Sequence, residues 1–227
     1  YGFHVWGIYT LLGIALAYFT FNKKAPLSIK STLKPLFGKY MNSFVGYAID
    51  VVAVLATLFG LATTLGFGAV QFTTGISELS GLSSSVNLQI LSIIGITLIA
   101  TVSVLSGLNK GLKYLSNFNM IIAGIVFLFI LFVGSSVFLF DGFVESLGLY
   151  LTDFFEMSTY RNQYGEEGKW FKSWSMFYWV WWISWSPFVG TFIARISKGR
   201  TLQDIAIYGL LVPSLFSMLG MSVLGGT

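Results

Sequence analysis

The stretch FYWVWWISWSPFVG, residues 177–190, holds four of the chain's seven tryptophans and ends on a proline and a glycine. On a helix, four of its rings would share one face at the i, i+3, i+4, i+7 spacing: Tyr178, Trp181, Trp182 and Trp185. Pro187 has no N–H, so the carbonyl of Ile183 would lose its helical partner. We therefore predict a tryptophan-rich helix that is broken at Pro187.

Composition predicts that the rest of the chain also lies in a membrane. Of its 227 residues, 55% are hydrophobic and only 10% are charged, whereas about 25% are charged in soluble domains. A membrane-spanning helix needs about 20 mostly apolar residues. Six segments qualify, at about 1–21, 44–76, 88–108, 118–140, 174–197 and 204–226. The predicted fold is an all-α integral membrane protein, with residues 1–227 forming part of a single domain.

A polar stretch separates the fourth and fifth predicted spans. Its first half, about 141–157, repeats Phe and Leu at helical intervals, which indicates an amphipathic helix lying on the membrane surface. Basic residues are concentrated in the alternate loops 22–43, 109–117 and 195–203, which hold ten of the thirteen Lys and Arg. Cytoplasmic loops collect such residues, so the first span should run from outside to inside. The basic excess then reflects topology, and no nucleic acid is expected as a partner.

Several function classes are disfavoured by the residue inventory. The chain has no cysteine and one histidine, which argues against thiolate sites and multi-histidine metal clusters. No nucleophile–base arrangement is visible, so we expect neither an enzyme nor catalytic, metal or cofactor residues. His4 is consistent with packing or with proton relay. Asp50, near a membrane boundary, has a functional role or pairs with a loop lysine such as Lys39.

The clustered rings suggest what the protein binds. Tryptophan faces are the best cation–π partners, worth about 2 kcal/mol or more when desolvated, and a quaternary ammonium cannot donate strong hydrogen bonds. A broken helix at mid-depth is typical of a transporter binding site. The first span offers further rings at Trp6 and Tyr9. Aromatic belts at the membrane interface are the alternative, and they fit Trp170 and Trp174 best.

Four long segments carry a family resemblance. They are FYWVWWISWSPFVGTFIARISKGRT (177–201), VGYAIDVVAVLATLFGLATTLGFGAVQ (45–71), SGLNKGLKYLSNFNM (106–120) and VPSLFSMLGMSVLGGT (212–227). Together they resemble the betaine/choline/carnitine transporters (BCCT). The resemblance implies a fragment covering the fourth to ninth of twelve spans in an inverted-repeat, LeuT-like core, in a family whose members are commonly homotrimers.

The resemblance also implies site residues. Its aromatic cage falls on Trp6, Tyr9 and Trp182, with Trp181 and Trp185 lining the path. A further cage tryptophan of the family falls on Tyr1, which keeps a ring but adds a hydroxyl. The family's proposed sodium site falls on Thr57 and the region of Phe188. Its second hydroxyl position is Leu61, which cannot coordinate a cation, so sodium and protons both stay open as the coupling ion.

The expected function is secondary active transport of glycine betaine, choline or carnitine through the cage by alternating access. Such a symporter would serve osmoprotection as a multi-pass protein of the plasma (inner) membrane, in contact with lipid. Two alternatives remain at this level. In the first, the chain belongs to a transporter of another zwitterion such as ectoine. In the second, it belongs to a non-transporting membrane sensor that kept the cage. Accumulation of a labelled solute against its gradient separates transport from sensing.

Overall fold

A computed structural model describes residues 1–81, 83–106, 111, 113–160, 165 and 168–225. These residues form α-helices and no strand, which confirms the all-α class. The α-helices are α1 Gly2–Ala17, α2 Ile29–Phe37, α3 Phe44–Ser80, α4 Val86–Leu105, α5 Lys113–Val133, α6 Ser136–Thr152, α7 Phe154–Thr159, α8 Gly168–Phe171, α9 Phe177–Ile196, α10 Leu202–Ala206 and α11 Val212–Gly225. Three π-helical turns extend them: Tyr18–Asn22 after α1, Lys172–Met176 before α9 and Ile207–Leu211 before α11.

Within the described residues, five helical stretches are long and apolar enough to cross a membrane. They are Gly2–Asn22, Phe44–Ser80, Val86–Leu105, Lys113–Val133 and Leu202–Gly225. These overlap five of the six predicted spans, of which residues 107–108 and 226 lie outside the described part. The number of spans stays a prediction. Helix α9 also has 20 residues, but it is not among these five stretches. Its tryptophans and its tyrosine count as weakly polar on a hydropathy scale, so its mean hydropathy is lower than theirs. That α9 crosses the membrane stays a prediction.

The fourth predicted span, 118–140, differs from the structure at both ends. Helix α5 already begins at Lys113 and ends at Val133, and α6 starts at Ser136. Residues 141–157, for which a surface helix is predicted, therefore fall in α6 and the short α7. Their place on the membrane surface stays a prediction. The residues at the start of α6 are as apolar as the end of α5, so hydropathy alone could not place this break.

The described chain divides into two compact units, and each is internally packed. The first contains Tyr1–Gly60 and Ser135–Thr227, and the second contains Leu61–Gly134, so α3 contributes to both. In the second unit, Ala69 and Thr73 of α3 are fully buried one turn apart. The Thr73 hydroxyl donates to the Ala69 carbonyl at 2.9 Å, which satisfies its hydrogen-bonding need within the helix. Most apolar side chains of α4 and α5 face outward, as lipid solvation allows.

In the first unit, α1 packs closely on α9 because glycines face the contact from both helices. A Cβ added at Gly13 would lie 2.6 Å from Cγ2 of Ile193, and one added at Gly190 would lie 3.0 Å from Cγ of Leu12. Small residues let membrane helices approach at backbone distance. This contact sets the ring-bearing first half of α1 beside the tryptophans of α9.

Helix α9 continues through Pro187, which corrects the expectation of a broken helix. It runs without interruption from Phe177 to Ile196. Proline cannot donate to the carbonyl of Ile183, but the hydroxyl of Ser186 donates to that oxygen at 2.7 Å. Since the freed acceptor is satisfied by a neighbouring side chain, the helix needs no water-lined break at this depth.

Candidate functional site

A cavity of about 600 Å³ lies between the start of α1, the region from α8 into α9, and α11. Six aromatic side chains line it: Tyr1, Trp6, Trp170, Trp174, Tyr178 and Trp182. Hydroxyls reach it from Ser175 and Ser217, and no charged side chain is found among its described lining residues. We name it the aromatic cavity. Its chemistry suits a ligand that offers a diffuse positive charge and few hydrogen-bond donors.

Three of these rings, Trp174, Tyr178 and Trp182, follow one another along one face of α9 and of the π-helical turn before it. The ring centroids of Trp174 and Tyr178 are 6.3 Å apart and nearly parallel at 23°. Those of Tyr178 and Trp182 are 5.7 Å apart at 35°. Tyr1 approaches Trp182 from α1, with its ring centroid at 5.7 Å and a tilt of 58°. Trp182 is therefore flanked by rings from two helices.

The indole of Trp6 is held in place from both sides. Its Nε1–H donates to the hydroxyl of Ser217 on α11 at 3.3 Å, and that hydroxyl donates onward to the carbonyl of Pro213 at 2.7 Å. Behind it, the ring of Tyr9 meets Trp6 edge-on at 5.7 Å and 89°. Tyr9 is only 8% exposed, so it supports Trp6 from the core and does not line the aromatic cavity.

The structure does not bring Trp181 and Trp185 to the aromatic cavity. Trp181 packs within α9, with its ring centroid 5.7 Å from that of Tyr178. The indole of Trp185 packs against Gly60 of α3, where an added Cβ would overlap its Cδ1. Its ring also meets Phe188 edge-on at 5.6 Å. Buried Nε1 of Trp185 has no hydrogen-bond partner among the described residues.

Trp170, Trp174 and Tyr178 line the aromatic cavity although sequence reasoning did not assign them to it. The sequence predicts that Trp170 and Trp174 belong to an interfacial belt. A signal for them exists in the chain, because positions 170, 174, 178 and 182 are all aromatic at four-residue spacing. That spacing places rings on one helical face, and it describes the lining better than the face through Trp181 and Trp185.

A second cavity of about 380 Å³ brings the two predicted ion-site residues together. Thr57 of α3 and Phe188 of α9 both line it, as do Asp50 and Thr191. The Thr57 hydroxyl donates to the Ala53 carbonyl at 2.9 Å, and that of Thr191 donates to the Pro187 carbonyl at 2.6 Å. Each hydroxyl oxygen keeps a lone pair, so each can still accept or coordinate. We name this space the hydroxyl cavity.

Asp50 pairs with Lys30 of α2 and not with the predicted Lys39. Its carboxylate lies 3.5 Å from Nζ of Lys30, and its Oδ1 accepts from the Lys30 backbone N–H at 3.0 Å. The same ammonium lies 3.7 Å from the ring centroid of Tyr47. Both charged side chains are about a quarter exposed, so the ion pair contributes little stability. It links α2 to α3 beside the hydroxyl cavity.

Apolar helices of spanning length define an α-helical membrane protein, and this one has a cavity walled by rings. The whole chain, residues 1–227, matches the family described as BCCT, betaine/carnitine/choline family transporter. The chain belongs to this family. It is therefore a multi-pass membrane protein of a transporter family and not an enzyme.

Curated relatives match over nearly the whole chain. It is 44% identical over 226 residues to the glycine betaine transporter OpuD of Bacillus subtilis (strain 168), covering 99% of this chain and 44% of that protein. It is 43% identical over 227 residues to the glycine betaine/proline/choline/ectoine transporter VP1456 of Vibrio parahaemolyticus serotype O3:K6 (strain RIMD 2210633), covering 100% and 40%. It is 40% identical over 227 residues to the high-affinity choline transport protein of Escherichia coli (strain K12), covering 100% and 34%. The chain thus spans less than half the length of these relatives.

Proposed function

We propose that the full-length protein carries a quaternary ammonium solute across the membrane by secondary active transport, with the aromatic cavity as its binding site. The observation that carries this proposal is the wall of six rings around about 600 Å³, without a charged side chain among the described lining residues. A quaternary ammonium has no N–H to donate, so ring faces are its natural partners. The volume falls within the range of small-molecule sites.

The substrate class follows from the polar groups that the cavity offers. The Ser175 hydroxyl and the indole N–H groups of the lining tryptophans other than Trp6 can donate to a carboxylate or a hydroxyl on the solute. The Trp6 N–H and the Ser217 hydroxyl already donate within the protein. No described lining residue provides a cationic partner, so a betaine carboxylate would be held by neutral hydrogen bonds alone. Glycine betaine and choline, the solutes in the names of two relatives, have the chemistry that this site suits. A relative whose name includes proline and ectoine keeps a broader zwitterion range open.

Coupling to an ion is proposed for the hydroxyl cavity. Thr57 lies there with Phe188, as the family resemblance implies, and Thr191 adds a second hydroxyl on α9. Hydroxyl and carboxylate oxygens are ligands that hard cations accept. Sodium is the first candidate and a proton the second, with binding alternately accessible from the two sides of the membrane.

The test uses the full-length protein in proteoliposomes with labelled choline, glycine betaine, carnitine and ectoine. Accumulation of a quaternary ammonium above its external concentration, driven by an imposed sodium or proton gradient, supports the proposal. Accumulation of ectoine alone favours a transporter of another zwitterion. Saturable binding without accumulation under either gradient favours a sensor. The mass of the detergent-solubilised protein tests the expected homotrimer.

A further inference from the structure

The histidine of α1 is a buried junction between three helices. The Nδ1 atom of His4 lies 2.7 Å from the hydroxyl of Tyr150 on α6, and Nε2 lies 2.6 Å from Oγ of Ser158 on α7. The imidazole also stacks on the ring of Phe154 at 4.2 Å and 20°. One side chain from the first turn of α1 thereby contacts both α6 and α7.

The hydrogen bonds of Tyr150 and Ser158 determine which ring nitrogen of His4 carries the hydrogen. The Phe3 backbone N–H donates to the Tyr150 hydroxyl at 3.0 Å, so this hydroxyl is free to donate its own hydrogen to Nδ1 of His4. The Ser158 hydroxyl donates to the Phe154 carbonyl at 2.7 Å, so it accepts from Nε2–H. All donors find acceptors only when His4 is neutral with its hydrogen on Nε2. A second proton would leave the tyrosine hydrogen without an acceptor in this network.

The network is closed at both ends by backbone groups, an amide N–H at Phe3 and a carbonyl at Phe154. Neither group releases or takes up a proton at physiological pH. At the Phe3 end, the described bonds therefore include no group that exchanges protons with the cavity. The geometry of the network instead suits fixation, because the Tyr150 hydroxyl also satisfies one of the N–H groups that the start of α1 leaves unpaired.

The imidazole also contacts one ring that lines the aromatic cavity, Tyr1, and one that lies behind the lining, Trp179. The ring of Tyr1 meets His4 edge-on at 5.4 Å, and that of Trp179 does so at 5.7 Å. Each of these two rings in turn lies against Trp182, with centroids 5.7 Å away for both. His4 is not itself among the residues that line the cavity.

We propose that His4 is a positioning residue for the solute site. It fixes the rings of Tyr1 and Trp179 against Trp182 and secures this wall of the cavity to α6 and α7 through Tyr150 and Ser158. The inference rests on the proposed function of the aromatic cavity. It assigns α6 and α7 a part in solute affinity, although they contribute none of the six rings.

The experiment measures initial uptake of labelled choline and glycine betaine by the full-length protein and its variants in proteoliposomes. Tyr150→Phe removes one buried hydrogen bond and should raise the half-saturation concentration about 5-fold. His4→Leu removes both bonds and the stacking partner and should raise it further. His4→Asn keeps an acceptor near the position of Nδ1, so its half-saturation concentration should lie between those of the parent and His4→Leu. The maximal rate per folded transporter should stay unchanged in all three.

Thr159→Val provides the matched control on α7. The Thr159 hydroxyl is exposed and donates to carbonyls of its own helix, so the control should keep the parental kinetics. A merely structural role would lower the amount of folded protein and leave the half-saturation concentration at the parental value. That result in Tyr150→Phe, which changes shape least, would overturn the positioning role. A parent protein that takes up none of choline, glycine betaine and carnitine would instead refute the proposed function.

Discussion

Replacing Trp182 by leucine tests the aromatic cavity at its best-defined ring. Trp182 lines the cavity and has the rings of Tyr1 and Tyr178 at centroid distances of 5.7 Å. Leucine keeps an apolar side chain but removes the indole face. Loss of one desolvated cation–π contact of about 2 kcal/mol should raise the half-saturation concentration about 30-fold.

The assay measures initial rates of labelled choline and glycine betaine uptake in cells that lack their own uptake systems. Rates are normalised to the amount of protein in the membrane, so that a folding defect is not read as a loss of affinity. Phe192→Leu is the matched control, because Phe192 also lies on α9 and is 57% exposed. It lines neither described cavity, and its replacement should leave the kinetics at the parental value.

Parental kinetics in Trp182→Leu would refute the assignment of the aromatic cavity as the solute site. Trp181→Leu separates the geometry from the family resemblance. The resemblance places Trp181 on the solute path, whereas the structure packs it against Tyr178 within α9. A smaller rise than that of Trp182→Leu agrees with the structure, and an equal or larger rise would show that the lining residues were assigned to the incorrect face.

Three other outcomes are expected. Gly13→Ala places a Cβ where none fits and should lower the free energy of unfolding by about 1–3 kcal/mol. Gly7→Ala, whose Cβ would have its nearest neighbour at 4.0 Å, should not; equal thermal stability of the two purified variants would contradict the packing argument. Thr57→Val should weaken the dependence of uptake on sodium without eliminating it, and a Hill slope near two that collapses in this variant would show that both ion positions of the family are intact. Ser83→Cys should react with an impermeant thiol reagent from outside intact cells and Lys34→Cys should not, whereas the reverse pattern would overturn the orientation.

The apolar helices and a predicted orientation follow from local properties of the sequence. Hydropathy over about 20 residues locates apolar helices, and the loop charges predict their direction. Helix α9 shows the limit of this approach, since its tryptophans make it less apolar on a hydropathy scale while enlarging its apolar surface. The end of α5 shows another limit, because apolar residues resume at Val137 after only Gly134, Ser135 and Ser136, and the backbone is needed to place the break.

The members of the aromatic cavity could be predicted in part. Tyr1, Trp6 and Trp182 were expected together and do line one cavity. Trp170, Trp174 and Tyr178 were missed, because a helical wheel shows which residues share a face but not which face meets a neighbour. That choice is made by the contact of α1 with α9 at Gly13 and Gly190.

The amino-acid sequence by itself determined the membrane class, the family, and the supply of rings and hydroxyls, since these depend on composition and short-range spacing. Tertiary structure decided how those groups are used. It satisfied the carbonyl freed by Pro187 with the Ser186 hydroxyl, paired Asp50 with Lys30, and enclosed His4 between Tyr150 and Ser158. Partners more than 100 residues apart, such as His4 and Tyr150, leave no local signal in the sequence, because only packing of the helices brings them within hydrogen-bonding distance.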